Sequence, residues 1–470
     1  MASPPWIWPA RRLAAAVTAG ELSAVEVVRA HLDRIAAVDP RLNAFVDVDG
    51  ERALAAAAAQ DAAASRGIPR GPLGGVPVTV KSAIEVAGLR CETGSPSRAG
   101  QRAATDAVVV ARLRAAGAIV LGTTNVAEML MGYETVNPLH GRTVNPWDPA
   151  RTPGGSSGGE SAAIAAGCSA GGIGSDGGGS IRVPAHFAGI CGLKPTPGRI
   201  PGTGHQPACL GPFSILGVVG PMARTVDDLV SLYRATAGWD ASDPAATPLA
   251  AEAALDSGAC RVGWFEAHPD APVTADTAAA VRQAVAALDA QGLATAPYRP
   301  AALDRAGALW RVFFCEVGAQ VLGDMLGAEA AAALPILVAH RAQHGDSPLT
   351  AARLVQAWID RDLVRAELLA AMAAHPILVC PVTSTPAFRH DERAWPVDGG
   401  HVTYLDATLY TQWANVLGLP AAVVPAHRTA DGLPVGVQVI GRPFEETRVL
   451  QVAAAIERGC GAAAWPPMAA

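Results

Sequence analysis

The chain has 470 residues, half of them apolar but only 5% aromatic, and a formal net charge of −6. That balance argues against nucleic acid as a standing partner, and plentiful alanine with few aromatics favours closely packed helices over a β-sandwich. No uninterrupted apolar run reaches the roughly 18 residues of a membrane span, and the opening MASPPWIWPARRLAAAVTAG has no long apolar core behind positive charge, so the cytoplasm is the expected location.

In chain order, Ser23 and Glu26 form a capping box for a helix whose Val28, Leu32 and Ile35 share a face. An alanine-rich helix is predicted over 50–65. Val76, Val78 and Val80 alternate as in a half-buried strand, with Lys81 at its end, where α/β folds commonly place their sites. A helix near 106–116 precedes a short strand at 118–122, and this alternation predicts an α/β fold with helices around a central sheet. Thr225 and Asp228 open a helix that runs through Tyr233 and ends near Gly238. Residues from about 270 to 375 read as mostly helical, broken at Pro335 and Pro348. Strands are expected at 261–265, 377–382, 421–425 and 435–441. Length alone suggests about three domains, yet no linker or charge block divides the chain, and one domain over 1–470 is expected.

The most informative stretch is Pro153 to Pro197, PGGSSGGESAAIAAGCSAGGIGSDGGGSIRVPAHFAGICGLKPTP. It holds Ser156 and Ser180, each in a glycine-rich turn, with no histidine or carboxylate beside them in the manner of familiar serine hydrolases. The run Gly177, Gly178, Gly179, Ser180 leaves successive N–H groups unshielded, so they can converge on a developing oxyanion at Ser180; a flexible loop is the plain alternative. Ser156 offers a second hydroxyl able to carry a proton. Lys81 is the candidate base. A lysine has a reference pKa of about 10.4 and burial can lower it by about 3–5 units, whereas a lysine that snorkels into water would stay charged.

Several patterns point elsewhere. Gly154 to Gly158 satisfies the G-x-S-x-G nucleophile elbow, which would make Ser156 the nucleophile of an esterase, but an elbow needs a preceding strand and NPWDPARTP reads as irregular. Gly172, Gly174 and Gly177 match G-x-G-x-x-G without a helix opening behind them, so no dinucleotide is expected. His340 and His344 stand four apart without the glutamate of a zinc motif, and the eight cysteines, at 91, 168, 191, 209, 260, 315, 380 and 460, contain no C-x-x-C pair. They read as reduced core thiols, and no metal or cofactor is expected.

The blocks VPVTVKS ending at Ser82, PGGSSGGE at 153–160, GSDGGGSIRVPA at 174–185 and CGLKPTPGR at 191–199 together resemble the amidase signature family. The two serines lie 24 positions apart, as in that family. The resemblance extends to TNVAE, NPWDPARTPGG, NVLGLPAAVVP and GLPVGVQVIGRPFEE, and is weak between roughly 240 and 370. It implies a large mixed β-sheet between layers of helices, with a signature core over about 70–220, a variable and mostly helical substrate-side region over about 240–375, and strands and a helix returning over about 376–460. It implies Ser180 as nucleophile, Ser156 as bridging serine preceded by a cis peptide bond, and Lys81 as base. Ser157, Asp176 and Arg182 then act as supports of the turns.

The resemblance also implies an acyl pocket at Leu130, Met131, Gly132 and Tyr133, where Met131 and Tyr133 suggest an apolar or aromatic acyl group. Trp310, Phe313, Phe314 and Trp413 are candidates to close it. The expected partner is a small-molecule amide, with a homodimer left open. One relative of another kind, the glutamine-hydrolysing A subunit of glutamyl-tRNA amidotransferase, carries an acidic residue where counting back from Thr411 gives Thr408, although Asp406 is near. A free-standing amidase is favoured, against that subunit, an esterase using Ser156 and a silent binding protein with the same fold.

Overall fold

The computed structural model of this chain describes residues 3–249, 261–345, 349–398, 400–461 and 465–469. Its strands are β1 (Phe45–Val48), β2 (Pro77–Lys81), β3 (Ile119–Thr124), the hairpin β4 (Val136–Asn137) and β5 (Gly141–Arg142), β6 (Gly171–Asp176), β7 (Cys191–Lys194), β8 (Val218–Ala223), β9 (Arg261–Trp264), β10 (Ala294–Pro297), β11 (Ile377–Pro381), the hairpin β12 (Ala394–Val397) and β13 (Gly400–Thr403), β14 (Ala421–Arg428) and β15 (Pro434–Gly441). Eleven of them form one mixed sheet, ordered β1-β3-β2-β6-β8-β7-β14-β15-β11-β9-β10, flanked by helices.

The helix starts follow local chemistry. Ser23 accepts from the Glu26 N–H at 3.1 Å while the Glu26 carboxylate accepts from the Ser23 N–H at 2.7 Å, closing the capping box of helix Ala24–Leu42. Asp49 caps Gly50–Ala64, and Thr225 accepts from the Asp228 N–H at 3.2 Å to cap Val226–Thr236. The helical text is broken at Pro335 as expected: one helix ends at Ala332 and Leu334 is extended. Pro335 then opens Pro335–His344, where its missing N–H costs nothing. Pro348 and Cys260 lie outside the described residues.

Two strand expectations change. Val76, Val78 and Val80 suggested a half-buried strand, but every residue of β2 is buried because β2 lies inside the sheet between β3 and β6. The stretch GGIGSD, where no strand was expected, is the buried strand β6. A Cβ at Gly172 would collide with the Glu160 carboxylate and the Thr79 carbonyl, so the side chains that would have signalled a strand have no room.

The sheet separates two cores. Val379 and Val439 join an aliphatic cluster with Val78, Val80 and Ile119, whereas their neighbours Leu378 and Ile440 join a cluster rich in aromatic rings, among them Trp310, Phe313, Tyr410 and Trp413. Alternation along β11 and β15 assigns successive side chains to opposite faces. No helix among the described residues is long and apolar enough to cross a membrane.

Candidate active site

β2 and β6 run parallel and adjacent, with Val80 opposite Ile173, so their carboxyl ends emerge side by side. This places Lys81, the last residue of β2, against Ser175 near the end of β6. Lys81 Nζ lies 2.7 Å from Ser156 Oγ, 3.0 Å from Ser175 Oγ and 3.3 Å from the Ser175 carbonyl. Burial pushes the Lys81 amine down to about 7 against the opposing pull of Asp176, Cys209 and Glu160. A neutral amine is therefore well populated near neutral pH, which the snorkelling alternative would not allow.

Ser156 follows a cis peptide bond from Gly155. Gly155 has no room for a side chain, since a Cβ would meet the Glu134 N and O and the Gly132 carbonyl at 2.6–2.7 Å. No strand leads into Ser156. The strand–turn–helix arrangement belongs instead to Ser180, which lies between β6 and helix Arg182–Ala188. Ser156 and Ser180 both line one cavity, and no hydrogen bond joins them among the described residues.

The turn that carries Ser180 is held from within. Asp176 Oδ1 accepts from the Gly179 N–H at 2.7 Å, from Arg182 Nη2 at 2.9 Å and from Asn415 Nδ2 at 3.0 Å; Oδ2 accepts from the Ile181 N–H at 3.1 Å and Arg182 Nε at 3.0 Å. Burial alone would raise this carboxyl, but Arg182, Lys194 and the Ile181 N–H together outweigh it and hold Asp176 well below the usual carboxylate range. Gly179 sits at φ 128°, a backbone region open to glycine. Its N–H is committed to Asp176, so of the three glycines expected to face an oxyanion, Gly177 and Gly178 keep free N–H groups, joined by that of Ser180.

The outer side of the turn is held by carbonyl contacts. Trp310 Nε1 donates to the Gly177 carbonyl at 3.0 Å; Tyr133 Oη and Thr411 Oγ1 donate to the Gly178 carbonyl at 3.0 and 2.7 Å. A carbonyl shares its peptide plane with the next residue's N–H, so the Trp310 contact fixes where the Gly178 N–H points. Ser157 spans the two serine turns: its N–H donates to the Ser180 carbonyl at 3.2 Å and its hydroxyl to the Ser175 carbonyl at 3.2 Å.

Of the four residues expected in the acyl pocket, Leu130 and Met131 line the cavity. Gly132 and Tyr133 do not: the Gly132 carbonyl packs on Gly155, and Tyr133 is buried behind the turn with its hydroxyl on Gly178. Met129, Phe213, Phe314, Val321 and Leu322 complete the apolar wall. Phe314 stacks on Trp310 at 4.6 Å between centroids and lies in a π-helical turn, Arg311–Glu316, which re-aims side chains within an otherwise continuous helix. Trp310, Phe313 and Trp413, expected to close the pocket, are buried and do not line the cavity.

The sequence reading missed Ser175, His205, Asn415 and Gln438. Asn415 and Gln438 complete the cradle of Arg182, Gln438 accepting from Nη1 at 3.1 Å and Asn415 from Nη2. His205 brings an imidazole to a site expected to have none, its Nε2 lying 2.8 Å from Ser175 Oγ. Nothing in GTGHQPACLG announces this. Asp406, considered as an acidic residue near the site, is held by Thr403 and Gln343 and is absent from the cavity wall. Among the described residues no cluster of His, Cys, Asp or Glu could hold a metal, and the seven described cysteines are free thiols.

A large mixed sheet thus holds the buried Lys81 and Ser175 at the carboxyl ends of neighbouring parallel strands, with the Ser156 hydroxyl within reach. The chain belongs to the Amidase family, whose model matches residues 26–450. An indoleacetamide hydrolase from Bradyrhizobium diazoefficiens is 36% identical over 484 residues, covering 99% of this chain and 89% of that protein. The A subunit of glutamyl-tRNA(Gln) amidotransferase from Roseiflexus castenholzii is 38% identical over 465 residues, 93% of each. A solved structure of 6-aminohexanoate cyclic dimer hydrolase complexed with substrate aligns over the full length of both chains with a TM-score of 0.84 and 28% identity.

Proposed function

We propose that this amidohydrolase cleaves a neutral carboxamide with an apolar acyl group, for which indoleacetamide is the representative, to the carboxylic acid and ammonia. The observation that carries the reading is Lys81 Nζ at 2.7 Å from Ser156 Oγ in the wall of an apolar cavity that also holds Ser180. Neutral Lys81 draws the proton of Ser156, which takes that of Ser180 once substrate has brought the two hydroxyls together. Ser180 then attacks the carbonyl carbon, and the N–H groups of Gly177, Gly178 and Ser180 receive the oxyanion. The relay runs back to protonate the leaving nitrogen, and water cleaves the ester formed on Ser180.

The cavity wall supports the choice of substrate. Among the described residues, Asp176 is the one acidic side chain on it, already neutralised by Arg182, and no lysine or arginine lines it. The α-ammonium and α-carboxylate of glutamine would be desolvated there without partners, which is costly, while an aryl or alkyl acyl group gains from Met131, Phe213 and Phe314. The relatives include both an indoleacetamide hydrolase and an amidotransferase subunit, and the wall favours the former.

A fluorophosphonate probe followed by mass spectrometry, together with ammonia release from a panel containing indoleacetamide, phenylacetamide and glutamine, tests the reading. Label on Ser180 and preferential turnover of the aryl amides are expected. Label on Ser156 would instead support the esterase elbow, faster release from glutamine the amidotransferase subunit, and a folded protein with no label and no turnover a silent binding protein.

A further inference from the structure

We propose that His205 is a positioning residue that directs the lone pair of Lys81 onto Ser156, acting through the hydroxyl of Ser175. The inference rests on Lys81 serving as the base. It follows from a chain of buried hydrogen bonds in which each donor is assigned by its partner. His205 Nδ1 lies 2.8 Å from the Pro207 carbonyl, which can only accept, so Nδ1 carries the proton. Burial pushes the imidazole down to about 4, so the ring is neutral and Nε2 has a lone pair. That lone pair, 2.8 Å from Ser175 Oγ, accepts a hydrogen bond from the Ser175 hydroxyl.

The consequence falls on Lys81. A neutral amine has two N–H bonds and one lone pair, and Nζ has three oxygen neighbours: Ser175 Oγ at 3.0 Å, the Ser175 carbonyl at 3.3 Å and Ser156 Oγ at 2.7 Å. The carbonyl can only accept. Ser175 Oγ, its proton committed to His205, can likewise only accept. Both N–H bonds are thereby assigned to Ser175, and the lone pair is left for the one remaining neighbour able to donate, Ser156. Without an acceptor at position 205, the Ser175 hydroxyl is free to donate to Nζ and competes with Ser156 for the same lone pair.

The experiment compares His205→Phe, which fills the ring volume without an acceptor, with His205→Gln, whose amide oxygen can replace Nε2. Each is made alone and with Ser175→Ala, and assayed on indoleacetamide. His205→Phe is expected to lower kcat about tenfold, the scale of coupling between touching groups, with KM little changed. His205→Gln should recover most of the rate. With Ser175→Ala present, His205→Phe should cost less than about twofold, because the competing hydroxyl is gone. A wild-type kcat in folded His205→Phe, an equal loss with and without the Ser175 hydroxyl, or His205→Gln as slow as His205→Phe would each overturn the proposal.

Long-range 1H–15N NMR of the wild-type protein labelled at histidine gives a test that needs no folded phenylalanine variant. The signal lost in His205→Gln should be the Nδ1–H tautomer, and an Nε2–H tautomer overturns the assignment. Lys81→Ala and fluorophosphonate labelling of Ser180 run alongside: a Lys81-dependent rate with Ser180 labelled upholds the base whatever His205 does, whereas an unchanged rate in Lys81→Ala removes the base and this inference together.

Discussion

Lys81 and Lys194 occupy matching places in two regions of one sheet. Each is the last residue of its strand, β2 or β7, each is fully buried, and burial brings each amine down to about 7, helped at Lys194 by the adjacent Arg182. Their surroundings differ. Lys81 Nζ meets two serine hydroxyls beside a cavity, while Lys194 Nζ donates to the Pro195 carbonyl at 2.8 Å and lies away from the cavity wall. Burial prepares an amine to act as a base. A partner with a proton to give, within reach of substrate, turns that readiness into chemistry, and a carbonyl has none.

The largest effect that could break the contrast is on rate. Lys81→Ala should lower kcat for indoleacetamide by about 10²–10⁴, and less for the corresponding ethyl ester, because an alkoxide leaves with less need of a proton than an amine. Lys194→Met, an apolar replacement of a buried cation, is expected to leave both rates within about threefold. Comparable losses from the two lysines in steady-state assays would erase the distinction.

The hydroxyl partner sharpens it next. Ser156→Ala should reduce amide turnover by about 10²–10⁴ with the thermal melt unchanged within a few degrees. A wild-type rate would remove Ser156 from the relay.

The pH profile separates the two amines more gently. Because the base must be neutral, kcat/KM on the amide should fall by about tenfold per pH unit below about 7 as Lys81 takes up a proton. Lys194→Met should keep that acid limb in place; a limb displaced by a unit or more would show that Lys194 sets it.

The smallest effect is on stability. Between pH 7 and the unfolded lysine value of about 10.4, the unfolded chain holds a proton on each lysine that the folded chain lacks, so unfolding free energy rises with pH across this window. Lys194→Met removes one of the two contributions and should flatten the rise by on the order of a few kcal/mol in denaturant titrations at pH 7 and 10. An identical slope in both proteins would mean that Lys194 is charged when folded.

Much of this arrangement is legible along the chain, for reasons that differ by element. Ser23 with Glu26, and Thr225 with Asp228, announce helix starts because capping is local, made by side chains three residues apart. The blocks around Lys81, Ser156 and Ser180 carry a family resemblance that the Amidase match over 26–450 bears out. β6 escapes notice because its glycines are selected by what packs on them, the Glu160 carboxylate at Gly172 and the Met222 and Ser157 side chains at Gly174, and a strand stripped of side chains has no period to read.

The linear order of residues sufficed for the sheet-and-helix class, the helix caps, the spacing of the two serines and the candidacy of Lys81, because each is written in neighbouring residues or in a family pattern. It was silent on His205 behind Ser175, on Asn415 and Gln438 around Arg182, on the commitment of the Gly179 N–H to Asp176, and on which of residues 130–133 reach the cavity. Those belong to the folded chain alone, since hydrogen bonds and packing act across a few ångströms whatever the sequence separation, and a buried amine becomes neutral only when the whole sheet closes around it.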